Sequence, residues 1–271
     1  MNSGLPYYIV NAFTETPFGG NPAAVMLLDQ WLPDALLQAL AAQHNLSETA
    51  FLVKQSHNTF ALRWFTPLVE VPLCGHATLA AAHVLINELG MAERSLCFET
   101  RFRGSLYAVQ EADGIAIELP GVSCASHHVE KGVEEALGAV VVSSARPLND
   151  PWQVIYELES EAAVRGLTPD INALAGAVSH CVIVTAAGSE TDFVSRMFGP
   201  AYGVDEDPVT GSAHCLLAPF WAERLGRSAL SAEQCSARGG RLICVVDDGR
   251  VKLVGHAVTF AAGDVRELVS A

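Results

Sequence analysis

Glu70-Val71-Pro72-Leu73-Cys74-Gly75-His76-Ala77 has a second copy downstream, Glu206-Asp207-Pro208-Val209-Thr210-Gly211-Ser212-Ala213. A shift of 136 positions lays Glu70 on Glu206, Pro72 on Pro208, Gly75 on Gly211 and Ala77 on Ala213, and it continues to Leu89-Gly90 on Leu225-Gly226. That shift is about half of the 271 residues, so the repeat reads as duplication of a whole architecture and not of a local motif. Proline ends whatever precedes it in each copy. An alanine-rich apolar run follows, 77–89 and 213–225, closed by Gly90 and Gly226. Strong helix formers bounded by glycine predict a helix in each copy. Both runs are apolar nearly all round, which predicts buried central helices.

Helix starts carry chemistry. Gly75 and Gly211 allow a tight turn and close approach of a ligand to the backbone. The first N–H groups of a helix have no partner within it, and the helix dipole adds partial positive charge there. Such an end is a ready anion site. Two of them, related by a pseudo-twofold, can grip one small carboxylate from both sides. The plain alternative is that the glycines serve only turns.

The length suits one large domain or two of ordinary size, and the repeat favours two similar halves, 1–125 and 126–271, with the C-terminal strand free to cross back. Half the residues are hydrophobic, enough for a sizeable core. A net charge of −14 argues against nucleic acid and against an anionic membrane surface. Residues 1–6 lack the basic start and apolar run of a leader, and no apolar stretch reaches the length of a transmembrane helix. The seven cysteines are odd in number and lack CxxC spacing, which points to free thiols in a reducing compartment. A soluble cytoplasmic protein is therefore expected. Histidines 44, 83, 127, 128, 180, 214 and 256 show no ligand spacing, so no metal site is expected.

Alternation and β-branched content predict strands at 7–13, 23–28, 50–54, 60–65, 95–100, 104–110 and 114–119, with a helix from 32 to about 44. Residues 121–151 are less regular and hold the crossover, with a short helix in 129–137 and a strand at 140–143. The second half echoes the first: strands at 152–158, 181–185, 230–236, 241–247, 250–256 and 258–262, a helix opening at Leu167-Thr168-Pro169-Asp170, and Asp248-Gly249 as a hairpin turn. Arg196-Met197-Phe198-Gly199-Pro200 repeats Arg63-Trp64-Phe65-Thr66-Pro67. The expected fold is α+β: two pseudo-symmetric halves, each a barrel-like sheet wrapped around a central helix, with a cleft between them.

Where the copies differ, one half carries chemistry that the other lacks. Glu48 has no acidic counterpart, since Val184 lies 136 positions on. At a helix-to-strand junction its carboxylate can face the cleft, and a carboxyl group in an apolar setting titrates nearer neutrality, as a general acid and base must. An exposed loop glutamate or a capping residue is the alternative. Cys74 faces Thr210 across the repeat. A thiol titrates near pH 8.5 and a threonine hydroxyl is far weaker, so a symmetric two-thiol racemase is disfavoured; a small buried cysteine is the simpler reading. His76 faces Ser212 and can hold a carboxylate or shuttle a proton. Asp207 faces Val71 and either caps its turn or binds a substrate amine or hydroxyl.

Together these segments resemble the PhzF-like isomerase family of phenazine biosynthesis, within the diaminopimelate epimerase fold. The resemblance rests on Asn11-Ala12-Phe13, Gly20-Asn21-Pro22-Ala23-Ala24-Val25, Asn45-Leu46-Ser47-Glu48-Thr49-Ala50-Phe51, Arg63-Trp64-Phe65-Thr66-Pro67 with Glu70, Cys74-Gly75-His76-Ala77-Thr78, the stretch from Asp205 to His214, and Ser236-Ala237-Arg238-Gly239-Gly240. It covers almost the whole chain; Asn11 stands where many members carry aspartate. The resemblance implies a homodimer and cofactor-free proton transfer on a small, possibly cyclic, carboxylic acid. It matches Glu48 to the general acid/base, His76, Asp207 and Ser212 to residues that place substrate, and Gly75 and Gly211 to the helix-start glycines. Two rivals stand beside it. One resembles the proline racemases and hydroxyproline dehydratases, with Cys74 as the reacting group and Thr210 opposite. The other is a small-acid-binding or protein-interaction module without catalysis.

Overall fold

The computed structural model describes residues 4–148 and 152–266. The opening Met1-Asn2-Ser3 and the 149–151 part of the crossover stretch lie outside the described residues. Two compact units emerge. The first holds the described residues up to Glu118 together with those from Val254 onward, and the second is Leu119–Leu253.

The first unit runs β1 (Leu5–Ala12), β2 (Asn21–Leu28), α1 (Asp34–His44), β3 (Glu48–Lys54), β4 (Thr59–Phe65), β5 (Glu70–Val71), α2 (Gly75–His83), β6 (Ser95–Thr100) and β7 (Gly104–Glu111), and β8 (Gly114–Pro120) leads out of it. The second runs β9 (Cys124–Ser126), α3 (Val133–Leu137), β10 (Val141–Pro147), β11 (Gln153–Leu158), α4 (Glu161–Arg165), α5 (Ile171–Ala177), β12 (Cys181–Ala187), β13 (Phe193–Gly199), β14 (Val204–Asp207), α6 (Gly211–Leu225), β15 (Ala229–Gln234) and β16 (Gly240–Asp247). Then β17 (Arg250–Gly255) returns the chain to the first unit, where β18 (Ala257–Val265) pairs antiparallel with β1.

The ladders of the two units repeat each other. In the first, β1–β2 is antiparallel, β2–β3 parallel, β3–β4 and β4–β5 antiparallel, β4–β6 parallel and β6–β7 antiparallel. In the second, β10–β11, β11–β12, β12–β13, β13–β14, β13–β15 and β15–β16 repeat that series, sense for sense. The sequence repeat is therefore a repeat of topology.

Strands β2, β3, β11 and β12 are covered on both faces and read as apolar runs, whereas β6, β7, β15 and β16 alternate buried and exposed positions, with one face toward solvent. Inside, α2 is buried at all nine positions and packs on β1, β2, β3, β7 and β18. Outside, α1 sets Leu37, Leu40 and Ala41 against Met26, Leu28, Phe51 and Phe65. In the second unit α6 packs on β11, β15 and β16, while α3, α4 and α5 contribute Val133, Leu137, Val164 and Leu174 to a core with Val154, Tyr156, Val182 and Phe198. Burial of each such aliphatic side chain stabilises the fold by about 1.5–3 kcal/mol.

Several expected boundaries move for local reasons. Asn45 ends α1 in the left-handed region, at φ 50°. The run after α2 widens into a π-helical turn over Val84–Glu88 before Gly90 stops it at φ 63°. Gly132, at φ 91°, confines the helix expected in 129–137 to Val133–Leu137. Pro219 sits inside α6 and cannot donate to Cys215 O; that carbonyl instead accepts from Val122 N–H at 3.0 Å. Asp248 and Gly249 both have positive φ, 40° and 74°, as a tight hairpin turn requires.

Candidate active site

In the first unit, parallel pairing of β2 and β3 sets Ala23 opposite Glu48. Asn21 and Ser47, just before that pair, therefore meet: Ser47 Oγ donates to Asn21 Oδ1 at 2.9 Å. The start of α2 supplies the remaining groups. Glu48 Oε2 lies 3.1 Å from His76 Nε2, Asn21 Nδ2 lies 3.2 Å from His76 Nδ1, and Cys74 Sγ lies 3.5 Å from Nδ1. Glu48, Cys74 and His76 thus form one cluster. Cys74 and His76 are buried; the Glu48 side chain keeps 18% of its surface exposed, so Glu48 is the least enclosed member of the cluster. Its Oε2 is buried yet has no well-aligned hydrogen bond, which leaves acceptor capacity unused.

The electrostatics assign charge states. Burial works against an imidazolium at position 76, but the Cys74 sulfur and the Glu48 carboxylate offset it and hold the His76 pKa well above 6.5. Burial, reinforced by Glu48, pushes the Cys74 thiol up to about 11. Near neutral pH Cys74 is therefore a thiol, and Glu48 is the charged group that stands beside the His76 ring. A ring whose folded pKa exceeds its unfolded value adds stability that is complete below the unfolded pKa and is lost as pH rises through the folded one. His76→Gln is accordingly expected to cost more stability, relative to the parent, at about pH 6 than at about pH 9. Urea titrations at the two pH values check this, and an equal cost at both would remove the charged ring.

The second unit presents a different set at the equivalent helix start. Thr210 Oγ1 donates to Asp207 Oδ2 at 2.5 Å. Gln153 Nε2 donates to Ser212 Oγ at 3.0 Å, and Gln153 Oε1 is buried without a partner. Gln234, fully buried, accepts from Thr210 N–H at 2.8 Å and donates to Asp207 O at 2.7 Å, fixing the turn into α6. Gln234→Leu leaves the Thr210 N–H without that acceptor and is expected to destabilise by about 1–3 kcal/mol, read as a lowered thermal midpoint. His214, fully buried and held neutral by burial with its pKa lowered to about 4, bonds Thr210 O through Nδ1 at 2.8 Å. Thr78 does the same for Cys74 O at 2.6 Å in the first unit.

Gly75 and Gly211 open α2 and α6 as expected, but neither has a positive φ. Neither cap residue, Cys74 nor Thr210, makes a side-chain capping bond. Two residues of the clusters were not singled out by sequence reasoning. Asn21 and Gln153 open the equivalent strands β2 and β11, and each sends its amide to the second residue of the central helix, His76 or Ser212. Their different side chains hide the correspondence from a search for identical residues.

Comparison with known proteins agrees with this architecture. The phenazine biosynthesis-like protein family matches residues 10–263. A Pseudomonas aeruginosa protein named an uncharacterized isomerase is 48% identical over 262 residues, covering 97% of this chain and 98% of its own. The crystal structure of a PhzF-family phenazine biosynthesis protein from Enterococcus faecalis superposes with a TM-score of 0.91 at 43% identity, covering 97% of this chain and 99% of that one. A hydroxyproline epimerase from Agrobacterium vitis shares the fold at 12% identity and a TM-score of 0.61, over 97% and 93% of the two chains. The fold is thus the epimerase-like one, and the class is isomerase. The chain belongs to the phenazine biosynthesis-like (PhzC–PhzF) family.

Proposed function

We propose that the protein moves a proton on a small carboxylic acid, without a cofactor, using Glu48 as the single general acid/base. The observation that carries this reading is the Glu48 oxygen: a buried carboxylate atom with acceptor capacity to spare, beside a charged imidazole and at the one partly open side of its cluster. A carboxylate so placed takes a proton from an activated carbon and returns it to another position. His76, held by Asn21, and the dipole at the start of α2 favour the negative charge that develops on the substrate. Asp207, Thr210, Gly211 and Ser212 are assigned to substrate placement through the family resemblance, as are a cytoplasmic location and a homodimer, which sedimentation velocity tests.

The thiol reading remains the rival because Cys74 lies in the same cluster. Its raised pKa counts against it, since the thiolate and not the thiol is the base. The experiment is incubation in D2O with a panel of cyclic and α-chiral carboxylic acids, read by mass spectrometry for incorporated deuterium. Deuterium uptake that survives Cys74→Ser supports Glu48. Uptake that vanishes in Cys74→Ser and persists in Glu48→Gln overturns the proposal in favour of the thiol.

A further inference from the structure

Glu48, Cys74 and His76 present the donor set of a zinc site. One carboxylate oxygen, one thiol sulfur and one ring nitrogen all lie within 4.8 Å of one another, and this is the one such group of three among the described residues. Tetrahedral zinc holds sulfur at about 2.3 Å and nitrogen or oxygen at about 2.0–2.1 Å, which sets the ligand atoms about 3.3–3.7 Å apart. The observed separations are 3.1 Å from His76 Nε2 to Glu48 Oε2 and 4.0 Å from Nε2 to Cys74 Sγ. The sulfur lies nearer Nδ1, at 3.5 Å, than Nε2, so joining an ion held by Nε2 requires the Cys74 side chain to rotate to another rotamer, whereas Glu48 Oε2 needs only a small adjustment.

The surroundings fit as well. A metal-bound histidine is normally fixed through its other ring nitrogen. Here Nδ1 faces the Asn21 amide, itself bonded to Ser47, and that amide can turn to present its oxygen to an Nδ1 proton. Three protein ligands leave a fourth position open on the exposed side of Glu48. The sulfur selects zinc-like ions over magnesium or calcium. The histidine spacing gave no hint of this, because only one ligand is a histidine.

We propose that the cluster binds one thiophilic divalent cation, with zinc as the type case, through Glu48 Oε2, Cys74 Sγ and His76 Nε2. Binding forms three coordination bonds, sends the thiol proton and any ring proton to solvent, and oxidises nothing. Because the ion occupies the Glu48 carboxylate, it also blocks proton transfer; that consequence alone rests on the function proposed above.

The test uses the untagged full-length protein and needs no substrate. Zinc is titrated in competition with a chromophoric chelator, and Co2+ is added separately to read the thiolate-to-cobalt absorption band. The parent is expected to take one zinc per chain and to show the band. Cys74→Ser should weaken zinc binding at least about 100-fold and lose the band, while Cys181→Ser should keep both. Absence of binding or of the band in the parent overturns the proposal, as does undiminished binding by Cys74→Ser. If Cys74→Ser fails to fold, the cobalt spectrum of the parent and the Cys181→Ser control still decide. Where an exchanging acid is found, zinc should suppress its deuterium uptake and a chelator should restore it. Binding without suppression would sink the Glu48 reading while leaving the metal site intact.

Discussion

Glu48→Gln is expected to lower deuterium exchange by about 10²–10⁴-fold, the usual contribution of a positioned general acid or base, with an unchanged circular dichroism spectrum. Glutamine keeps the size and the polar contact toward His76 Nε2, now 3.1 Å from Glu48 Oε2, but it cannot accept and return a proton. The substitution has a second consequence that separates a chemical role from a structural one. Glu48 is one of the two groups that raise the His76 pKa against burial, and the one that carries charge near neutrality, where Cys74 is a thiol. In Glu48→Gln one of the two groups that offset the burial of the ring is gone, so the His76 pKa should fall and its NMR titration should move to lower pH. Loss of exchange together with that movement fits a carboxylate acting on substrate beside a ring that it charges. Loss of exchange with an unmoved His76 titration would mean that Glu48 does not govern the ring, and the account of the cluster's charge would fail.

Duplication made much of this fold legible before any coordinates. The positions that coincide under the shift of 136 do structural work in both units: proline ends the incoming strand, glycine starts the central helix, and Gly90 and Gly226 end the apolar runs, each at positive φ. The positions that differ, Glu48, Cys74, His76, Asp207 and Thr210, are the ones that meet in polar clusters. Apart from β13, a seven-residue strand marked in the sequence only by the Arg196–Pro200 repeat, the elements that escaped notice include several with too little sequence to declare themselves. Helix α4 has five residues and depends on Ser160, whose hydroxyl accepts from Ala163 N–H at 3.2 Å. Strands β5 and β14 have two and four residues and exist because β4 and β13 supply the partner edge. Asn21, Gln153 and Gln234 could not be picked out, because an amide gains a role only through what the fold sets beside it. The zinc-like donor set was hidden for the same reason: Glu48 and Cys74 come from separate segments.

Arg63→Ala is expected to destabilise the first unit by about 3–5 kcal/mol, the cost of breaking a buried ion pair and leaving one charge behind. Arg63 has only 9% of its side chain exposed, and its Nε and Nη2 donate to the two oxygens of Glu70 at 2.8 Å each. Its guanidinium also lies 5.1 Å from the Phe65 ring centroid and 5.2 Å from that of Trp31. Asp34, a third partner at 2.9 Å, is largely exposed and adds little. Without Arg63, Glu70 keeps only Arg101, itself half exposed, at 3.0 Å. The second unit repeats the device: Arg196 grips both oxygens of Glu206 at 2.7 and 2.9 Å and lies 5.0 Å from the Phe198 centroid. This is why the Arg-x-Phe and Glu elements persist in both copies. Each pin ties a long strand to the short strand that feeds the turn before the central helix, so its loss should loosen Cys74 and His76 as well as lower stability. A charge-free double replacement, Arg63→Met with Glu70→Leu, should recover most of the loss, since an apolar pair needs no desolvated partner. Urea unfolding of the parent, the two single variants and the double variant forms the cycle that measures the coupling. Strictly additive effects would mean that Glu70 is well solvated without Arg63, and that the pin contributes packing alone.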